Sequence, residues 1–89
     1  MSLTNFQLNI QIWQEGAMFV AYIPQLDVSS CGETLAKARS NIKEAGAAFL
    51  ATAREMGTLT QVLEEAGFLF DREWKAPTVV AEDRLQLAV

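Results

Sequence analysis

Tyr22-Ile23-Pro24-Gln25-Leu26, followed by Gly32-Glu33-Thr34-Leu35 and a long run with helical spacing, constrains this chain more than any other stretch. Before Pro24 the apolar residues follow the period of a strand. After Thr34 they follow the period of a helix, so the chain must combine a small sheet with a helix laid on it. Phe6-Gln7-Leu8-Asn9-Ile10-Gln11-Ile12 alternates apolar and polar and reads as a half-buried strand. Gln14-Glu15-Gly16 supplies a turn with a glycine free to take positive φ. Ala17 to Ile23 reads as a second strand, with Phe19, Ala21 and Ile23 on one face and Met18, Val20 and Tyr22 on the other. A strand apolar on both faces lies mid-sheet. Pro24 ends it, because proline has no amide to give to a ladder. Val28 to Cys31 makes a short third strand before Gly32.

From Thr34 to Met56 the residues Leu35, Ala38, Ile42, Ala45, Phe49, Thr52 and Met56 step by three and four, which predicts one apolar helix face. Thr34 is placed as the N-cap and Gly57 as the left-handed residue past the end. Thr58-Leu59-Thr60-Gln61 has the form of a capping box for a second helix, with Leu59, Val62, Leu63 and Ala66 as its stripe. Gly67 closes that helix and Phe68 supplies the accompanying apolar contact. Phe68 to Pro77 reads as an irregular or extended arm. Thr78-Val79-Val80 reads as extended, and Arg84 to Val89 alternates again as a last strand. The whole is one α+β domain over 1–89, a small antiparallel β-β-β-α-β sheet with a long helix on one face and a short one beside it.

A single domain of 89 residues buries only about 60–65% of its unfolded surface, yet 51% of this one is hydrophobic. Some apolar surface is therefore expected to be covered by another chain. No apolar run is long enough to cross a bilayer and no signal peptide is visible, so a cytoplasmic location is expected. One cysteine excludes an internal disulfide. A net charge of −4 favours basic protein partners over phosphate backbones.

Histidine is absent, which removes the usual general base, the triads built on it and the commonest zinc ligand. Cys31 alone reads as a small buried hydrophobe. The glycines stand singly, so no phosphate loop is present. The adjacent acids Glu64-Glu65 and Glu82-Asp83 diverge on any regular element and read as solvated surface. The residues thus point to no enzyme, no cofactor and no metal. Lys37, Arg39 and Lys43 form a small basic patch at the start of the first helix, read as a mixed-charge solvated face or as a contact for RNA or for an acidic patch on a partner. Ala45-Gly46-Ala47-Ala48 permits close approach, either to the chain's own sheet or to a second helix.

One long helix covers one side of a sheet. Trp13, Met18, Val20 and Tyr22 could then line the other side, and an apolar patch on so small a domain marks an interface. The tail carrying Phe70 and Trp74 is the alternative cover. The partner or oligomer interface is accordingly placed on Trp13, Met18, Val20, Tyr22, Gln25, Leu26 and Trp74, and a homodimer or larger assembly is expected.

Tyr22-x-Pro24-x-Leu26 with Gly32-x-Thr34, between an N-terminal hairpin and a long helix, resembles the HicB-like antitoxin family. Gly57 to Phe68 and Trp74-Lys75-x-Pro77 to Arg84 resemble segments of its short members. The resemblance implies a partial RNase-H-like sheet without catalytic carboxylates. It also implies a homo-oligomer that sequesters a small basic ribonuclease toxin of the HicA type by steric and electrostatic occlusion. Gln25 stands where the family often has an acid, and Asp27-Val28-Ser29-Ser30 replaces its usual loop. No DNA-binding appendage follows Gly67, so operator binding is not expected. The alternative is a non-catalytic, free-standing oligomeric module of the same fold without a toxin partner.

Overall fold

The structure, a computed structural model, describes residues 7–71, 73–77 and 80–88. Strands β1 (Gln11–Glu15), β2 (Met18–Ile23) and β3 (Val28–Gly32) form an antiparallel sheet in that order, followed by helices α1 (Leu35–Glu55) and α2 (Leu59–Glu65). A separate antiparallel pair, β4 (Leu69–Asp71) with β5 (Glu73–Lys75), comes last. The domain is α+β, as the switch of period at Pro24 and Thr34 requires.

The β1–β2 hairpin closes through Gly16 and Ala17, with Gly16 at φ 60° and Glu15 opposite Met18. A glycine at the first of two loop positions matches the twist of the flanking strands. The first strand differs from its expected span of Phe6 to Ile12. Gln11 pairs with Tyr22, so continuing the ladder toward Asn9 would require a partner at Pro24, which the proline denies. The Asn9 amide instead donates to the Gln25 side-chain oxygen, 3.3 Å away. Phe6 lies outside the described residues.

Thr34 caps α1 as its type and position demand: its hydroxyl accepts the Lys37 amide at 3.0 Å. Both helices end in the same way. The Gly57 and Gly67 amides reach back to Arg54 and Glu64, and those of Thr58 and Phe68 to Ala53 and Leu63. These are paired closures that satisfy otherwise orphaned carbonyls. The capping box at Thr58 does not form. Its hydroxyl is turned to the Ala53 carbonyl at 3.3 Å, because Thr58 is already held inside the closure of α1.

The core packs α1 over β2 and β3, with Ala21, Ile23, Leu26, Ala38 and Ile42 buried and Leu8, Ile12, Phe19, Val28, Leu50 and Val62 around them. Here the helix departs from its expected face. Ala38 and Ile42 are buried, but the line then runs through Gly46, Leu50 and Ala53. Phe49, Thr52 and Met56 stay exposed. Gly46 decides between the two stripes, since a Cβ there would stand 2.8 Å from Ile23 Cδ1. The missing side chain lets α1 close on β2 along that line. Phe49, Thr52 and Met56 instead line an open groove with Val28 and Val62. Leu63 within α2 and Phe68 just beyond its end are also buried.

The tail corrects two expectations. Part of the arm after Phe68 forms β4 and β5, in which Phe70 opposes Trp74. The alternating segment from Arg84 carries no strand over its described residues, 84–88. A strand exists only against a neighbour, and among the described residues this segment pairs with none. Thr78, Val79 and Val89 lie outside the described residues. The radius of gyration is 15.2 Å, against about 12 Å for a compact chain of this length. Val80, Leu85 and Leu87 of the tail are exposed.

Candidate functional site

Residues alternate across a strand, so the side of the sheet that α1 leaves open is set by the register. Trp13 opposes Val20, which opposes Cys31, and Met18 and Tyr22 lie on the same side of β2. Four of the seven residues assigned to the interface are thereby brought onto one face. Trp13 is 41% exposed and Met18 37%, while Val20 and Tyr22 are half-buried against their neighbours. The Trp13 and Tyr22 rings meet edge to face at 6.4 Å, a diagonal pairing that stiffens both.

Acids rim this apolar centre. The Trp13 indole donates to Glu15 Oε1 at 2.9 Å, and the Tyr22 hydroxyl donates to Asp27 Oδ1 at 2.8 Å. Asp27 can reach Tyr22 because it sits at φ 53°, in the left-handed region, as the chain turns from Pro24 into β3. The result is a face with amphipathic aromatic anchors in the middle and fixed negative charge at its border.

Asp27 also acts on Tyr22. The hydrogen bond first, then loss of solvent, then the nearby charge hold the phenol above its ordinary pKa of 10.0. Its folded value is raised, so any stability this pair contributes is present below that ordinary value. It is lost as pH rises through the folded value, when two anions face each other. Tyr22 is the only tyrosine. A spectrophotometric titration of tyrosinate should therefore give one midpoint, above that of free tyrosine, and Asp27→Asn should bring it back down. An unshifted midpoint in the parent protein would show that the bond does not form.

The other three assigned residues do not join the face. Leu26 is buried at 7% exposure. The turn bonded from the Leu26 amide to the Ile23 carbonyl carries it over the end of the sheet into the core beside Ile42. Gln25 is half-buried and engaged by the Asn9 amide. Trp74 belongs to the β4–β5 pair, where its ring tilts against Phe70 at 5.3 Å. Cys31 was expected to be buried and is exposed. Val28, Ser30 and Gly32 take the inward positions of β3, leaving Cys31 on the open face. Alternation counted back from Gly32 could have found it. The acidic rim had no such signal, because it depends on the turn geometry at Asp27.

Among the described residues there is no group of acids or cysteine arranged to hold a metal ion, and no helix is long and apolar enough to cross a membrane. No protein-family model matches the chain, and neither does any curated protein or solved structure.

Proposed function

We propose that this chain is a non-catalytic protein-binding module, and that it acts as an antitoxin of the HicB-like kind on a small basic ribonuclease toxin. The observation that carries the reading is the open face itself, with Trp13, Val20 and Tyr22 at its centre and Glu15 and Asp27 at its edge. Tryptophan and tyrosine are preferred anchors because they bury large area at small cost in side-chain freedom. An acidic border steers a basic partner and raises its association rate. It also disfavours the same face of a second copy, because a symmetric contact brings like carboxylates together. Neutralisation in this reading is occlusion: the face covers the toxin's RNA-binding surface.

In this reading a small basic toxin is encoded beside this chain, and co-expression is expected to restore growth that the toxin alone arrests. Trp13→Ala should weaken the purified complex by about 2 kcal/mol, or roughly thirtyfold in dissociation constant, with the fold intact by circular dichroism. A harmless neighbour sinks the toxin assignment and leaves the free-standing oligomeric module. Binding that is indifferent to Trp13→Ala sinks the face.

A further inference from the structure

The open face is not the only unfilled surface. Helix α1 lies chiefly over β3 and β2 and reaches β1 least. Beside β1 this leaves a groove of about 440 Å3, lined by Ile10, Ile12, Leu35, Arg39 and Lys43. Its floor is apolar and its helical wall is cationic. In the described sheet β1 pairs only with β2, so one row of its backbone groups lacks a strand partner. Such an edge is a template for strand addition.

The chain carries a segment of matching chemistry that has no seat of its own. In residues 80–88, Val80, Leu85 and Leu87 are 94%, 81% and 71% exposed. Leu85 and Leu87 are two apart and so share one face of any strand, preceded by the acids Glu82 and Asp83. An extended Asp83 to Leu87 spans about 13 Å. The groove's helical wall, from Leu35 to Lys43, rises about 12 Å. With Asp83, which shares the leucines' face, at Arg39 and Lys43, the two leucines fall toward Leu35 over the isoleucine floor. The segment does not lie there in its own chain. Pro77 lies at the end of α2, its Cγ 3.3 Å from where a Cβ on Gly67 would stand.

We propose that residues 80–88 of one copy add as a strand along the β1 edge of a second copy, with Leu85 and Leu87 on Ile10, Ile12 and Leu35 and with Asp83, on the same face, toward Arg39 and Lys43. Reciprocal exchange closes a twofold dimer and buries the exposed leucines of both tails. It leaves the Trp13–Tyr22 face open, so it does not depend on the antitoxin reading.

Sedimentation or light scattering of the full chain at micromolar concentration should give a dimer. Ending the chain after Ala81 should give a folded monomer. Leu85→Asp with Leu87→Asp in the full-length chain should do the same, which guards against an effect of truncation alone. Arg39→Glu with Lys43→Glu should raise the dimer dissociation constant about tenfold at low salt. Adding Asp83→Lys to that variant should recover part of the loss. A full-length monomer overturns the proposal, whether its tail is free, folded on its own sheet or reserved for another protein. So does a dimer that survives loss of the tail.

Discussion

Ile42→Ala is expected to cost the fold about 2–5 kcal/mol. Ile42 is fully buried between Ala21, Ile23, Leu26 and Ala38, and it is the largest fully buried side chain of the main core. Its neighbours include two alanines, so little can move in to refill the space, and the cavity term adds to the lost transfer free energy. A domain of this length has a total stability of about 4–13 kcal/mol. The variant should therefore be partly unfolded at physiological temperature if the parent lies near the bottom of that range. Urea titration checks this: the midpoint should fall with little change in slope. A loss under about 1 kcal/mol would mean that α1 does not close on β2 and β3 through Ile42.

Gly32→Ala is the second large effect, and its cause is steric. A Cβ at Gly32 would stand 2.5 Å from the Ala38 nitrogen and 2.8 Å from the Lys37 carbonyl carbon. Backbone atoms of a capped helical turn cannot rotate aside, so the end of β3 and the start of α1 must separate. Overpacking of this kind costs about 1–3 kcal/mol. Thr34 holds that same turn through the Lys37 amide. Gly32-x-Thr34 is therefore one device: the glycine allows the approach and the threonine caps the helix that approaches. Asn41 adds a third tie by donating its side-chain amide to the Cys31 carbonyl at 2.8 Å. Equilibrium unfolding is again the measurement. Gly32→Ala behaving like the parent would show that strand and helix are further apart than described.

Much of the fold was legible because its signals are local. Gly16 marks the hairpin, Pro24 the end of β2, Thr34 the start of α1, and Gly57 and Gly67 the two helix ends; each acts through its own backbone or an amide within a few residues. The open face was partly legible for the same reason, since Trp13, Val20 and Tyr22 share a side as soon as the hairpin register is known. Leu26 was misplaced because it lies in a turn, where no period tells inside from outside.

By itself, the sequence determined the order and type of the elements from β1 to α2, the caps that bound them, and the two faces of β2. Those follow from backbone sterics and from side-chain periods of two and about three and a half. Only the tertiary structure decided which stripe of α1 is buried, where β1 begins, and that residues 84–88 form no strand among the described residues. Two stripes of similar apolarity run along α1, and the choice between Phe49 and Leu50 rests on how closely Gly46 lets the helix meet Ile23. That distance is a property of two surfaces in contact, and neither segment encodes it alone.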